Sequence, residues 1–394
     1  VSPDSGAVQT ASGPLFIPTT FFGTNTQDWP VRAPTSGGDG TNPPAFQLGI
    51  VSTYDCSALS PSVMFTAANT INWANLDLFV TQWVANGVLS GIFAWHSIGA
   101  WLAQAGQAAT NDPYGRPGGG SYPNDLTQVA YFFQQFIARN KTVWNGFFKA
   151  IQVRNEPEAN NFAGTTVGEW WGTAQQFVNE RAVIYSTVKT ADPSMVVLTC
   201  GMYNVPTFST WLAQAAGGSD IAAAYPALVG TMGWQTFDAV ASHPYWATAN
   251  PTYAGRGTHG TLPQGGVNQI RLALVPYNKQ GIDIWCTEFG YDSGGSRASP
   301  SATVQAWLAQ SANQRRIETI RRFMSGIRHG LKCMCDFSYG GNLLCGDQVA
   351  DTTGYVLGRQ QVYSACAGKT MSAAGYYPDG REWMNFTDGT SLVV

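Results

Sequence analysis

"FFKAIQVRNEP", residues 147–157, runs through an apolar stretch and stops on Arg-Asn-Glu-Pro. The apolar part predicts a buried strand, because a run of this length with Ile and Val between turn residues fits a parallel-sheet core. The proline then ends strand pairing, since it has no N–H to give to a ladder. Charged residues make up only 11% of the chain, against roughly 25% in an average soluble domain. A glutamate between an asparagine and a proline at a strand end is therefore a feature to be explained.

Outward from this stretch the same punctuation recurs along all 394 residues. Strands are expected at 21–26, 46–52, 89–95, 147–153, 195–201, 237–243, 282–288 and 331–340, alternating with helical periods at 72–87, 124–140, 167–193 and 303–330. The second of these helices opens on Asn124 as cap, and the third is stopped by Asp-Pro. Strand and helix alternation implies parallel β/α units, and eight units fit a closed (β/α)8 TIM barrel of the α/β class. The barrel is expected over about 20–340, within one catalytic domain of 1–394, with long loops at the C-terminal face. The Gly- and Asp-rich segment 341–394 is expected to be irregular, with at most a poorly formed helix or small strands.

Composition excludes several functions. A formal net charge of −3 with no basic run lacks the footprint that phosphate backbones require, so no nucleic acid partner is expected. No apolar run of 18 residues occurs, so no membrane partner is expected either. The start "VSPDSGAVQTASGP" reads as the mature end of a secreted or periplasmic chain, although an artificial chain start would look alike. Seven cysteines are an odd count; Cys200 and Cys286 read as small buried residues, and Cys345 and Cys366 as the better disulfide candidates. Cys333 and Cys335 read as packing on one strand face. With no His-Glu-x-x-His run among four histidines, no metal and no cofactor are expected.

Barrel enzymes carry catalytic groups at the C-terminal ends of their strands. Strand four ends in Arg154, Asn155 and Glu156, strand six in His243, Tyr245 and Trp246, and strand seven in Thr287 and Glu288. Glu156 and Glu288 would face each other across the mouth. Two carboxyls across a pocket suit glycosidic bond cleavage, where one donates a proton and the other's charge stabilises an oxocarbenium-like centre. Asn155 offers an amide to a sugar hydroxyl. Trp95, His96, Trp101 and Trp246 suit an aromatic rim for sugar faces, whereas Trp170 and Trp171 read equally as rim or inward packing. Hydrolysis and transglycosylation share these residues, and a barrel that only binds carbohydrate is the alternative from another class. Exo or endo cleavage would follow from the loops at 102–123 and 246–265.

Asn-Glu-Pro at 155–157, His-Pro-Tyr at 243–245 and Thr-Glu-Phe-Gly at 287–290 resemble the strand-four, strand-six and strand-seven signatures of clan A retaining glycoside hydrolases. The order and loop lengths are most similar to family 39, which includes β-xylosidases, α-iduronidases and exopolysaccharide hydrolases. The resemblance implies double displacement, with Glu156 as acid/base, Glu288 as nucleophile, Asn155 on the sugar 2-hydroxyl, and His243 and Tyr245 orienting the nucleophile. It covers roughly 20–340. Many clan members carry an arginine on strand two; "FQLGIVS" at 46–52 has none, which makes Arg154 a candidate for the cation beside Glu288. The aromatic that follows strand eight in the clan is replaced by "FSYGGN", leaving Tyr339 as the nearest stand-in. Strict alternation would place Arg154 and Glu156 on one strand face and Asn155 on the other, so Asn155 reaches a sugar only from an irregular strand end.

Overall fold

The structure, a computed structural model, describes residues 14–26, 47–54, 56–113, 115–156, 169–202, 236–243, 271, 281–289, 295–296, 299–300, 309–336, 354–377 and 381–394. Eight strands form the centre: β1 (Phe22–Asn25), β2 (Ile50–Ser52), β3 (Ser90–Trp95), β4 (Phe148–Val153), β5 (Val196–Met202), β6 (Ala239–Ser242), β7 (Asp283–Phe289) and β8 (Met334–Asp336). Each pairs in parallel with the next, and β8 returns to β1 through Met334↔Phe22, Cys335↔Gly23 and Asp336↔Thr24. The sheet is thereby a closed barrel, as the strand and helix alternation predicted.

The apolar runs are continuous because parallel strands in a barrel are covered on both faces. Ile50, Ile92, Ala150, Leu198, Ala239, Ala241, Cys333 and Cys335 fill the interior. Cys335 approaches so closely that a Cβ at Gly23 would stand 2.6 Å from its Sγ, which explains a glycine inside β1. Val51, Phe93, Ile151, Val153 and Val197 face outward into a second apolar layer. That layer is shared with α1 (Ala74–Ala85) and α2 (Leu126–Thr142), through residues such as Phe79, Trp83, Phe132 and Phe136.

Helix boundaries differ from expectation where side-chain chemistry overrides periodicity. Asp125, not Asn124, caps α2 by accepting from the Thr127 N–H. Helix α3 (Ala174–Ala191) begins seven residues later than expected, at a capping box made by Thr173 and Gln176. The tryptophans before it are buried: Trp170 packs on Phe177, and a Cβ at Gly120 would meet the Trp171 ring at 2.5 Å. Helix α4 (Ala312–Arg328) starts at a second box, Ser311 with Gln314. No helix among the described residues is long and apolar enough to cross a membrane.

The described part of the segment 341–394 is more regular than expected. It carries α5 (Tyr355–Cys366) and three strands that join Leu15–Ile17 in an antiparallel sheet, in the order Leu15–Ile17, Lys369–Tyr376, Glu382–Phe386, Ser391–Val393. Gly358 weakens the helical pattern of α5, yet its purpose is close approach, since a Cβ there would lie 2.7 Å from the Arg316 carbonyl oxygen of α4. Met371, Met384, Phe386 and Leu392 of the sheet share one apolar cluster with Phe22, Phe323 and Val362. Cys366 is buried in this cluster, and burial pushes its thiol up to about 12. Cys345, its suggested disulfide partner, lies outside the described residues, and no disulfide joins the described cysteines.

Helix α5 is pinned by a buried ion pair. Arg359 Nε lies 3.1 Å from Asp336 Oδ2 at the end of β8, its Nη2 donates to the Gly23 carbonyl at 3.2 Å, and its guanidinium covers Phe323 at 4.3 Å. Burial pushes the Asp336 carboxyl up to about 6 even beside Arg359. Breaking such a pair leaves a buried charge uncompensated, at a cost of about 3–5 kcal/mol. Arg359→Ala should therefore lower the unfolding free energy measured in urea by that much, and adding Asp336→Leu should recover most of the loss. A single variant as stable as wild type would contradict the pairing.

Candidate active site

Glu156, His243 and Glu288 come together at the C-terminal ends of β4, β6 and β7. His243 is buried, with its Nδ1 2.8 Å from Glu156 Oε1 and 3.5 Å from Glu288 Oε2, and its Nε2 3.1 Å from the Thr287 hydroxyl. One ring nitrogen and one oxygen from each carboxyl lie within 4.8 Å of one another. Consecutive residues of a regular strand point to opposite faces, yet Thr287 and Glu288 both reach the same imidazole. The pairing of β7 with β8 shifts register between Cys286 and Phe289, and this irregularity re-aims the side chains.

The end of β4 is irregular in a different way. Arg154 has φ +65° and Glu156 φ +34°, conformations that residues with a Cβ seldom adopt. They break the alternation, so three consecutive side chains leave in three directions. Arg154 enters the layer between barrel and helices, Asn155 turns toward β2, and Glu156 meets His243. The Glu156 N–H donates to the Gly201 carbonyl at 2.8 Å, which holds this backbone against β5.

Asn155 is buried and fully engaged. Its Oδ1 accepts from Gln152 Nε2 at 3.0 Å, and its Nδ2 donates to the Tyr54 hydroxyl at 2.6 Å and to Glu169 Oε1 at 3.4 Å. Tyr54 donates onward to Glu169 Oε1 at 2.9 Å. The Tyr54 ring lies edge-on to His96, 5.4 Å between centroids, and 6.4 Å from His243.

Two expected site residues are corrected. Arg154 is wholly buried and does not supply a cation to Glu288 or touch a substrate: its guanidinium is paired with Glu180 of α3, Nη2 to Oε1 at 2.8 Å. Trp95 is equally buried and forms no rim, since it alternates outward from β3, packs on Phe132 and Phe133, and donates to Glu180. His96 is 2% exposed; its Nδ1 donates to the Ala94 carbonyl and its Nε2 accepts from Arg116. Burial, then the Arg116 charge, holds its pKa well below the usual range. Tyr245, Trp246 and Tyr339 lie outside the described residues, as does the loop 246–265.

Electrostatics separate the central groups. Burial lifts the Glu156 carboxyl to about 8, and burial depresses His243 to about 3 against the opposing pull of Glu169. The imidazole is therefore neutral around pH 7 and hydrogen-bonds without adding charge. Glu156, His243 and Glu288 also form the single group of three or more ligand side chains among the described residues that could hold a metal ion. Sequence spacing did not reveal it because the three come from different strands.

Tyr54, Glu169, Gln152 and Gly201 were missed. Tyr54 follows the end of β2 and was accessible to the strand-end rule; Gly201, a glycine within a strand, is a known mark of close approach. Glu169 precedes α3 with no local signal. A Cβ at Gly201 would overlap His243 Nε2, so Gly201→Ala should expel the imidazole and cost about 1–3 kcal/mol through overpacking, measured by urea denaturation.

The raised Glu156 pKa has a definite sign in stability. The folded state holds this proton up to about 8, while the unfolded chain releases it near the ordinary glutamate value. Stability is thus lost as pH rises between the two. Glu156→Gln should raise the melting midpoint at pH 8.5 and hardly change it at pH 4; equal shifts at both would contradict the burial effect.

No family model matches the chain, and no curated protein matches its sequence. Solved structures match its fold. A glucosidase from Croceicoccus marinus aligns with TM-score 0.57 over 97% of this chain and 81% of its own, at 15% identity. A family 39 glycoside hydrolase from Bacteroides cellulosilyticus WH2 gives 0.56 over 95% and 69%, at 15% identity. A monomeric β-xylosidase from Caulobacter crescentus CB15 gives 0.60 over 95% and 74%, at 12% identity. Likeness at such identities is a statement of shared fold, the (β/α)8 barrel.

Proposed function

We propose that this chain is a retaining β-glycosidase acting on a polysaccharide or oligosaccharide. The observation that carries the reading is the pair of carboxyl oxygens, from Glu156 and Glu288, within 4.8 Å of each other beside a buried neutral histidine. Retaining enzymes hold their two carboxyls about 5–5.5 Å apart, whereas inverting ones need about 6.5–9.5 Å to admit a water. The fold likeness to a glucosidase and a β-xylosidase supports the same chemistry.

In this reading Glu156, protonated below about 8, gives its proton to the leaving glycosidic oxygen as that bond breaks. A Glu288 oxygen attacks the anomeric carbon from the opposite side and forms a glycosyl ester. Glu156, now ionised, takes a proton from water, whose oxygen displaces Glu288 and restores the starting configuration. His243 donates from Nδ1 to Glu156 Oε1 while the Thr287 hydroxyl donates to Nε2, which leaves the Glu156 proton on its other oxygen, the one presented to substrate. A barrel that only binds carbohydrate has no use for a carboxyl kept protonated at neutral pH.

A second reading, metal-assisted hydrolysis, draws on the three-ligand group. Chelation separates them: double displacement persists in excess EDTA, and a metal mechanism does not.

The test is hydrolysis of a panel of aryl β-glycosides, with anomeric configuration followed by proton NMR. Wild type should yield the β-anomer first, and Glu288→Gln should lose at least ~10³-fold in kcat. The kcat/KM profile should fall above a pH near 8, the side on which Glu156 loses its proton. Hydrolysis unaffected by Glu288→Gln defeats the proposal.

A further inference from the structure

The hydrogen bonding of Arg154 exceeds what a buried ion pair needs. A guanidinium has five N–H donors, and all five are used. Nε and one Nη2 hydrogen bind the two oxygens of Glu180, at 2.9 and 2.8 Å. The other Nη2 hydrogen goes to the Ser121 carbonyl at 3.0 Å, and Nη1 reaches the His96 and Gly119 carbonyls at 3.3 Å each. Trp95 Nε1 donates to the same Glu180 oxygen at 2.8 Å, and the Trp170 ring covers the guanidinium at 4.7 Å. Both charged side chains are wholly excluded from solvent.

This knot joins the segment after β3, the loop at 119–121, the start of β4's turn and helix α3. Its backbone is the one that adopts left-handed φ at Arg154 and again at Glu156. A strained conformation at a functional strand end persists when surrounding contacts over-determine it. The contacts here are the five donors, the Arg154 N–H on the Trp95 carbonyl at 2.6 Å, and the Glu156 N–H on the Gly201 carbonyl at 2.8 Å. Regular alternation past β4 would keep Arg154 and Glu156 together on the barrel-facing side of Ala150; the left-handed turn lets Arg154 leave for the helix layer while Glu156 stays at the mouth.

We propose that Arg154 and Glu180 are a positioning pair: from outside the barrel they set the strand-end turn that presents the Glu156 carboxyl to His243 and Glu288. The inference rests on the glycosidase reading and extends it to residues that never touch the sugar. The Glu156 carboxyl is faced by His243 of the β6 end and Glu288 of β7, with Tyr54 and Glu169 beyond Asn155. Loosening the turn would move Glu156 out of this buried company, toward water and its ordinary acidity.

Arg154→Lys keeps the charge but has at most three donors, and Glu180→Gln keeps the shape but loses the carboxylate. Each is compared with wild type on two aryl β-glycosides of the same sugar, one with a nitrophenol leaving group of low pKa and one with an unactivated phenol. A displaced acid costs most where the leaving oxygen needs a proton. Expected in kcat/KM, which reports the step up to the glycosyl ester, are a loss of roughly tenfold or more on the unactivated substrate and about twofold on the activated one, with a basic limb shifted down by about one pH unit. A merely structural role would lower both substrates alike and leave the limb in place, which overturns the inference. Should Arg154→Lys fail to fold, Glu180→Gln carries the same readouts. Wild type inactive on every glycoside would sink the glycosidase reading itself; active wild type with unaltered variants sinks only the positioning pair.

Discussion

Closure of the parallel barrel is the constraint on which the remaining features depend. Once β8 pairs with β1, every strand has neighbours on both sides, and most of its inward and outward residues are buried, with Lys149 and Asp283 near strand starts as exposed exceptions. A chain with 11% charged residues meets this demand with aliphatic side chains within and aromatic ones in the outer layer. The strand ends are where polar groups can still gather, and strands distant in sequence are brought to a common mouth there. Glu156 and Glu288 are 132 residues apart along the chain and meet only because the sheet returns on itself.

Buried charge is handled in two contrasting ways. Outside the barrel wall, Arg154 with Glu180 and Arg359 with Asp336 are paired in low dielectric, and each ties a helix to a strand end. In the mouth, Glu156 has a neutral histidine and another carboxyl as neighbours. Desolvation then works against its ionised form with no adjacent cation among the described residues to oppose it, and its pKa rises to about 8. The same residue type becomes an anchor or a proton store according to whether an arginine stands beside it.

Irregular backbone supplies the remaining precision. The register shift in β7 lets Thr287 and Glu288 approach one imidazole from both sides. The left-handed residues after β4 send Arg154 and Glu156 apart. Gly201 provides the space that His243 occupies. The tryptophans follow the opposite tendency: Trp95, Trp170 and Trp171 are buried, because a large apolar ring gains more in the helix layer than at a wet rim.

The sequence by itself determined the strand and helix alternation, the eight barrel strands to within a few residues, and the strand-end positions of Glu156, His243 and Glu288. These are legible because burial on both faces forces apolar runs, and because a charge at the end of such a run has no packing reason to be there. Tertiary structure alone decided the direction of Arg154 and Trp95, the partnership of Tyr54, Glu169 and Asn155, and the regular sheet formed by the C-terminal segment with Leu15–Ile17. Those outcomes depend on φ angles at single residues, on a register shift, and on contacts between segments hundreds of residues apart. Local pattern carries no record of them, since the energies that choose among directions arise only when the distant partners are in place.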